Sequence, residues 1–285
     1  MTLFKRVITA SIITPDGTIQ IENLRMAFNI KKTVNWGSNT CIFSVWNLSP
    51  SKRAALRDYR YRMSLYAGYE LESGTGLLFV GTTTQVSHRF DQPEIISSIE
   101  CGDGERNLNN ILVELSYGPD ISCKQIIQDL ADKMGVQITQ FTPVNDVFLP
   151  KGWSYAGIAK NGLDDACNAL QVQWSIQNEN LIILPINEVA AKPPHEINVN
   201  TGMLGVPQQF TYRAQYLPGV ARLVGWRVRT LLRPEILPGD EVRIQSNKVN
   251  YNLDGSFKVI GIVHNGDTHG NSWDSTIEVI PVVRT

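Results

Sequence analysis

The stretch GSFKVIGIVHNGDTHGNSWDSTIEVIP, residues 255–281, carries the strongest fold signal in the chain. Its first part alternates apolar and polar residues, as a half-buried strand does. NGDTHGN, residues 265–271, combines two glycines with two asparagines and is typical of a turn. SWDSTIEVIP then alternates again as a return strand. The stretch predicts a β-hairpin near the C-terminus.

The same stretch crowds together His264, Asp267, His269 and Asp274, which are residue types found in metal and acid/base sites. We interpret it as a hairpin loop of roughly 7 to 9 residues, with His264 and Asp267 at its mouth, because Asp and Asn commonly bond to local backbone in turns. This loop is longer than a minimal hairpin needs, which leaves room for a role in contacts. A metal or acid/base site stays open as the alternative.

The first hundred residues are also rich in β-branched and aromatic residues and contain six strand-like runs. They suggest a barrel or a sandwich. One helix interrupts them at LSPSKRAALRDY, residues 48–59, where Ser49 suits the N-cap and Pro50 the first helical position. We expect this helix to plug one end of a barrel.

From residue 105 to 191 the apolar period becomes helical. In ISCKQIIQDLADKMG, residues 121–135, Ser122 and Gln125 fit a capping box and Gly135 fits a C-terminal stop. A second helix is predicted at NGLDDACNALQ, residues 161–171, with Asn161 as its cap and Asp164 and Asp165 in its first turn.

A hairpin, VQWSIQNENLIILP, completes this segment, which holds five Lys/Arg against ten Asp/Glu. The pattern predicts a small acidic α+β module. A linker at AAKPPHE then leads into further strand-like runs, including GWRVRTLL, in which buried Trp226 and Val228 should alternate with solvated Arg227 and Arg229. We therefore expect three domains: a β-barrel with one short helix over 1–104, the α+β module over 105–191, and a second β-barrel over 192–285.

Composition is that of an ordinary soluble globular protein, with 42% hydrophobic and 19% charged residues among 285 and a net charge of −1. Bulk charge therefore gives no reason to expect adhesion to nucleic acid or to an anionic membrane. The N-terminal KRVITASII reads as a strand ending at a Pro-Asp-Gly turn, and no run is long enough for a membrane span, so we expect a cytosolic product. Four cysteines without a C-x-x-C pair predict reduced core thiols: Cys41, Cys101, Cys123 and Cys167.

A search for catalytic motifs finds neither G-x-S-x-G nor a P-loop. Gly102-Asp103-Gly104 is interpreted as a turn, and His195-Glu196 lacks the second histidine of a zinc protease motif. Among the paired carboxylates, Asp164 and Asp165 are interpreted as helix N-terminal charges.

Asp103 and Glu105 are interpreted as a solvated strand end, and the arginines of RLVGWRVR and RPEILPGDEVR as a solvated strand face. No catalytic, cofactor-binding or metal-binding residue is predicted, no cofactor is expected, and the chain is not expected to be an enzyme.

Several stretches in order along the chain resemble phage baseplate hub proteins, the group that includes the late control protein D family. VWNLSPSKRAAL, MSLYAGYE, LLFVGTTTQVSH and IECGDGERNLNNILVELSYG are similar to the N-terminal half of these proteins. LLRPEILPGDEVRI and GSFKVIGIVHNGDTHGNSWDSTIEVIP are similar to their final barrel. The middle segment is similar to the small α+β modules at the N-terminus of secretins.

The resemblance implies a structural hub of a phage tail, most often contractile, that forms a homotrimer with two tube-like β-barrels per chain. Such a ring adapts the sixfold tail tube to the threefold central spike. Its implied partners are the tail tube protein, the central spike protein, the tape measure protein and baseplate wedge proteins, and genome DNA passes through its channel without specific binding. The implied location is the virion, after assembly in the host bacterial cytoplasm.

Two other functions stay open at this point. One is a tail-associated hydrolase or carbohydrate-binding module whose acids cannot be paired from sequence. The other is a tail-tube or distal-tail protein without the adaptor role. The interface residues of any of these assemblies are not predicted by the sequence.

Overall fold

Strands dominate the computed structural model of the chain, which describes residues 5–34, 39–56, 60–70, 74–104, 111–142, 144–185, 188–212, 222–247 and 253–282. Of these residues 62% lie in strands and 13% in helices. No helix within them is long and apolar enough to cross a membrane. The predicted mainly β fold with helices concentrated in the middle of the chain is therefore confirmed.

The described residues of the N-terminal third form seven strands where six were predicted. The additional strand arises because TIQIENLRMAFNI is broken at Asn23, whose backbone adopts a left-handed conformation with φ of 57°. The strands are β1 Arg6–Thr14, β2 Gly17–Ile21, β3 Met26–Thr33, β4 Asn39–Trp46, β5 Arg62–Tyr69, β6 Gly74–Asp91 and β7 Glu94–Asp103.

The predicted helix between β4 and β5 is α1, Pro50–Ala55. Ser49 caps it by accepting a hydrogen bond from the Lys52 amide, and Pro50 occupies its first turn, as predicted. None of its own residues is buried. The adjoining Leu48 and Leu56 are buried in the core of this segment and hold the helix against it.

In its described residues, the middle segment alternates short strands with two helices. Its elements are β8 Leu112–Tyr117, β9 Ile121–Ser122, α2 Cys123–Met134, β10 Gln137–Phe141, β11 Phe148–Leu149, β12 Trp153–Ile158, α3 Ala159–Ala169, β13 Val172–Gln177 and β14 Asn180–Pro185. The Ser122 cap and the left-handed Gly135 stop of α2 are confirmed. Its sheet has the order β10-β14-β13.

The predicted start of the second helix in this segment is wrong. Helix α3 begins at Ala159 after Ile158, which makes no side-chain cap bond, so Asn161 is not the cap. Asp164 and Asp165 consequently lie in the middle of the helix. The Asp164 carboxylate accepts a hydrogen bond of 2.8 Å from the indole nitrogen of Trp174, a tertiary contact that sequence spacing does not reveal.

The C-terminal third contains two strands that were not predicted. They are β15 in the expected linker and β16, where Gly205 and Pro207 obscure the alternation. The elements are β15 His195–Ile197, a 3-10 turn Val199–Thr201, β16 Met203–Tyr212, β17 Leu223–Leu231, β18 Glu241–Ser246, β19 Leu253–Asp267 and β20 Trp273–Pro281. Trp226 and Val228 are buried and Arg227 and Arg229 are exposed, as predicted.

One large, mostly antiparallel sheet joins the two β segments. Its order is β16-β17-β20-β19-β3-β4-β7-β6-β5-β1-β2, with β18 paired to β19 and β15 to β18. The joint is the antiparallel pairing of β19 with β3. Among the described residues the path is open, and its end strands do not pair to close a barrel.

Three main apolar cores accompany this arrangement. One lies within strands β1–β7, one within the middle segment, and one within strands β15–β20. Trp273 belongs to the first core although it lies on the C-terminal strand β20. All four cysteines are buried with free thiols, in agreement with their prediction as core residues.

Candidate assembly interface

The predicted hairpin at residues 255–281 is confirmed, but the position of His264 in it was wrong. Strand β19 continues to Asp267, so His264 is well inside the strand and not at a loop mouth. Its side chain is 1% exposed, and its Nδ1 atom lies 2.8 Å from the Ser275 hydroxyl. Burial, with a smaller contribution from the positive charge of Lys32, lowers the pKa of His264 to about 3. This imidazole is neutral at physiological pH.

The remaining loop, Thr268–Ser272, ties the C-terminal hairpin to the N-terminal strands. Arg6 donates hydrogen bonds to the carbonyl oxygens of Asp267 at 3.1 Å and Gly270 at 2.6 Å. Thr268 exchanges bonds with the backbone of Met26, and the Asp267 carboxylate lies 3.5 Å from the Arg25 guanidinium. The loop is therefore a structural tie between distant parts of the chain.

The four candidate residues of the loop do not converge. The buried carboxylate of Asp274 accepts a hydrogen bond of 2.8 Å from Arg229, and His269 is exposed. Within the described residues no group of three or more His, Cys, Asp or Glu side chains is placed to hold a metal ion. The hydrogen bonds of the loop explain its composition without a ligand.

His195 was predicted to lie in a linker, but the structure places it on a strand. It lies on β15, which pairs in parallel with β18, and its Nε2 atom is 3.4 Å from the Asp240 carboxylate. Asp240 also accepts bonds from the Leu237 amide at 2.9 Å and from Lys192 at 3.1 Å. Burial raises the pKa of Asp240, but the nearby His195 ring and the bonds from Leu237 and Lys192 outweigh it and hold the pKa below its ordinary value.

The prediction that Asp103 lies at a solvated strand end is wrong, because its side chain is fully buried. It ends β7, and its carboxylate accepts bonds from the amides of Asn178 at 2.6 Å and Glu179 at 2.7 Å and from Asn39 at 3.2 Å. Asn178 and Glu179 form the tight turn between β13 and β14, and both have positive φ. Both backbone amides therefore point toward the Asp103 carboxylate and donate to it. Glu105, its predicted neighbour, lies outside the described residues.

Further polar groups complete this buried junction. Lys32, 1% exposed, donates to the side-chain oxygen of Asn178 at 2.8 Å. Asn39 donates to the Ile176 carbonyl at 2.7 Å, and Gln177 donates to the Thr33 carbonyl at 2.8 Å. The middle segment is thereby fixed to strands β3, β4 and β7 through the turn of its own hairpin.

Burial dominates the titration of the two charged groups in the junction. It raises the pKa of Asp103 to about 6, against the opposing effect of its amide bonds and of Lys32. It lowers the pKa of Lys32 to about 8, against the opposing effect of Asp103. The charge of each group favours ionisation of the other and so offsets part of the effect of burial.

The large sheet has a long edge at one end of its path. Strand β16 is ten residues long, has no charged residue, and pairs with β17 as its one strand partner among the described residues. A bulge between Leu204 and Gln208, next to Pro207, interrupts the first half. The second half, residues 208–212, pairs in regular register with β17. A strand that pairs on one side only is a template for a further strand.

A second edge lies on the outer half of β6. Strand β5 pairs with β6 as far as Thr82, and beyond it residues 84–91 have β7 as their one strand partner within the described ranges. Phe90, near the hairpin tip, is 65% exposed. The two edges are different in sequence and lie on different parts of the sheet.

Sequence reasoning missed both edges. Alternation reports which face of a strand is buried but not which strands are its neighbours. The length of β6, 18 residues, against the eight of β5 was the available signal for an overhanging edge.

Two solved structures with a similar fold are tail proteins. The tail protein from Neisseria meningitidis MC58 is similar with a TM-score of 0.70 and 9% identity, covering 98% of this chain and 97% of that one. The prophage MuSo2 43 kDa tail protein from Shewanella oneidensis is similar with a TM-score of 0.68 and 12% identity, covering 97% and 98%. At these identities the likeness shows the fold alone.

A third similar structure is the E. coli c3393 protein, described as a type VI secretion component with structural similarity to the T4 tail proteins gp27 and gp5. Its TM-score is 0.58 at 10% identity, and the match covers 91% of this chain and 74% of that one. No curated protein is similar enough in sequence to count as a match. The sequence model of the Baseplate hub gp41 family, however, matches residues 7–278. The chain therefore belongs to the Baseplate hub gp41 family and is a structural component of a viral tail baseplate.

Proposed function

We propose that this chain forms the homotrimeric hub ring of a contractile phage tail and adapts the sixfold tail tube to the threefold central spike. The proposed units are two tube-like β-barrels, residues 1–104 and 192–285, on either side of the α+β module at 105–191. The apolar cores support a division into three units, since one lies mainly in each β segment and a third lies in the middle segment. Three such chains supply six barrels, which fit a sixfold tube.

The observation that carries the proposal is that β16 and the outer half of β6 each pair with one strand among the described residues and lie on different parts of one sheet. An edge that pairs with a different edge of the next copy makes a head-to-tail contact, which closes into a ring when the rotation between copies is a third of a turn. We assign one side of this contact to residues 208–211 of β16 and the other to residues 84–91 of β6. Backbone hydrogen bonds between these two strands would form the contact, so it needs no charge complementarity.

The remaining partners follow from the position of a hub in a baseplate. The ring would contact the tail tube protein on one face and the central spike protein on the other, with the tape measure protein and baseplate wedge proteins as further neighbours. Genome DNA would pass through the central hole without specific binding. Assembly would take place in the host bacterial cytoplasm before the protein reaches the virion.

Native mass measurement tests the ring, on the purified chain alone and with its spike protein. A trimer in either sample is the expected result, and monomer in both contradicts it. Negative-stain images should then show a short threefold ring with a central hole, whereas long sixfold polymers would indicate a tail-tube protein.

A charge on the β16 edge tests the assigned surface. Gln209→Lys should weaken trimer formation because a solvated ammonium blocks strand addition. The matched control is Gln137→Lys, an exposed position on β10 of the middle segment, which should assemble as the parent does. Equal assembly of both variants would place the contact elsewhere.

A further inference from the structure

Lys32 and Asn178 place an amine against an amide carbonyl inside the junction between the large sheet and the middle segment. The Nζ atom of Lys32 lies 2.8 Å from the carboxamide oxygen of Asn178, which is 146 positions later in the chain. A carbonyl bond is about 1.23 Å long, so Nζ lies within about 4 Å of the carboxamide carbon. This separation is close to the 3 to 3.5 Å or so at which two groups are positioned to react.

Neighbouring bonds hold the two groups in place. Gln177 donates a hydrogen bond to the Thr33 carbonyl at 2.8 Å. These two residues are the chain neighbours of Asn178 and Lys32. Asn39 accepts a bond of 2.9 Å from the Thr33 amide and donates one of 3.0 Å to the Gln177 side chain. Because the backbone is fixed on both sides of the contact, the amine and the carboxamide are held against each other.

Burial makes the lysine amine a nucleophile. The Lys32 side chain is 1% exposed. Burial lowers its pKa to about 8, so at pH 7 about a tenth of the molecules have the neutral amine. A neutral lysine amine without a shell of water attacks acyl carbons. The absence of water around it also limits competing hydrolysis of the carboxamide.

Asp103 lies beside the carboxamide and can transfer the proton that such a reaction moves. Its carboxylate accepts a hydrogen bond of 2.6 Å from the backbone amide of Asn178. Burial raises the pKa of Asp103 to about 6, so at pH 7 about a tenth of the molecules have the protonated acid. A carboxyl group in this state can donate to a leaving nitrogen. Asn178 is only half-buried, so its turn also reaches the surface, where a small leaving group can escape.

We propose that Lys32 and Asn178 join in an intramolecular isopeptide bond. The neutral amine attacks the carboxamide carbon and forms a new N–C bond. A proton from the amine passes through the Asp103 carboxyl group to the carboxamide nitrogen, the bond from carbon to that nitrogen breaks, and ammonia leaves. The reaction needs no oxidant or reductant, because one amide replaces another.

The product links strand β3 covalently to the turn between β13 and β14. It closes a loop across 146 positions, so it restricts the unfolded chain as a disulfide does, but reducing agents do not cleave it. All three reacting groups belong to one chain, so the bond forms whether or not the chain assembles into a ring.

Intact-mass measurement and peptide mapping on the full chain test the bond. We expect a mass lower by one ammonia than that calculated from the sequence, and one branched tryptic peptide that joins Lys32 to Asn178. Lys32→Met and Asn178→Gly should each keep the mass of their own sequence. Both should fold, because methionine replaces a buried charge with an apolar side chain and glycine accepts the positive φ of the turn.

The matched control is Lys31→Met, which changes the neighbouring exposed lysine and should still lose ammonia. A parent chain with the full calculated mass and no branched peptide would overturn the proposal. Ammonia loss that persists in the Lys32 variant would overturn it as well.

The rate of ammonia loss after cell-free synthesis tests the role of Asp103. Asp103→Asn keeps an acceptor oxygen for the turn and should slow the loss about a hundredfold or more, which is the contribution of a general acid–base group. In the parent the rate should be highest between the pKa of Asp103, about 6, and that of Lys32, about 8. It should fall above pH 8 as the carboxyl group loses its proton, and the variant should lack this fall.

Other titratable groups that face the pair do not change charge in that range. Burial raises the pKa of Cys41 well above its ordinary value and lowers that of His264 to about 3, so both stay neutral. Glu179 in the turn lies 2.6 Å from the Arg62 guanidinium. Equal rates in the Asp103 variant and the parent would overturn the assignment of the proton transfer to Asp103.

Discussion

The carboxylate of Asp103 on β7 accepts a hydrogen bond of 2.7 Å from the backbone amide of Glu179, 76 residues later in the chain. With the neighbouring amide of Asn178 at 2.6 Å, it holds the turn of the middle segment against the large sheet. Hydrogen bonds to a buried carboxylate are stronger than those between neutral groups. The Asp103 carboxylate is therefore a central acceptor in the junction that holds the middle segment against the β segments.

Replacing Asp103 should loosen that attachment. Asp103→Ala leaves two turn amides without their acceptor, and we expect a loss of roughly 2 to 4 kcal/mol in the free energy of unfolding. Hydrogen exchange at residues 177–180 should rise with it. Asp254→Ala, which removes an exposed carboxylate, should cost less than about 0.5 kcal/mol. Unchanged exchange in the turn of the Asp103 variant would contradict the assigned role.

Acid should destabilise the fold through His264. Its pKa is about 3 in the folded chain against 6.5 for the free side chain. The folded state therefore binds fewer protons, and the stability contributed by the neutral ring is complete above pH 6.5 and is lost as the pH falls toward 3. The limiting contribution is at most about 5 kcal/mol. Asp103 acts in the opposite sense, because its raised pKa of about 6 stabilises the fold as the pH falls.

A comparison of variants isolates the contribution of His264. Urea unfolding between about pH 7 and pH 4 should show a shallower loss of stability for His264→Gln than for the parent, because the glutamine does not titrate. His269→Gln alters an exposed ring and should keep the slope of the parent. The same slope in all three proteins would mean that His264 is not buried neutral.

Arg6 should be needed to hold the loop at 268–272. Arg6→Ala removes both bonds to the loop carbonyls and the guanidinium that lies 5.4 Å from the ring centre of Trp273. We expect a loss of about 1 to 2 kcal/mol and faster hydrogen exchange in the loop. The control is Lys5→Ala, whose exposed ion pair with Glu70 should contribute less than about 1 kcal/mol. Slow exchange retained in the Arg6 variant would count against the tie.

Gly104 should tolerate no side chain. Its φ is +71°, and an added methyl carbon would lie 2.8 Å from the Ile176 side chain across the junction. Gly135→Ala has a similar φ, +66°, with open space around it, and isolates the backbone strain of about 1 kcal/mol. Gly104→Ala should cost more than this control by about 1 to 3 kcal/mol, because a close-packed junction must shift. Equal denaturation midpoints of the two variants would show that Ile176 moves aside freely.

Local pattern determined much of this protein. Alternation identified the strands of both β segments, and Ser49, Ser122 and Gly135 marked helix ends correctly, because capping bonds form between near neighbours. Prediction from capping residues failed at α3, because this helix starts without a side-chain cap. Prediction from alternation failed at β16, because a proline and a bulge interrupt the apolar-polar alternation there.

Tertiary structure alone decided which residues meet. Nothing near Asp103 in sequence indicates that it binds a turn 76 residues later, and nothing near His264 indicates that pairing of β19 with both β3 and β20 encloses it. The HNGDTHGNSWD stretch has the composition of a site, yet its polar groups are satisfied by Arg6, Arg25, Arg229 and Ser275 from other strands. Sequence fixes local conformation through nearest-neighbour contacts, whereas burial and hydrogen-bond partners depend on strand pairings between distant segments.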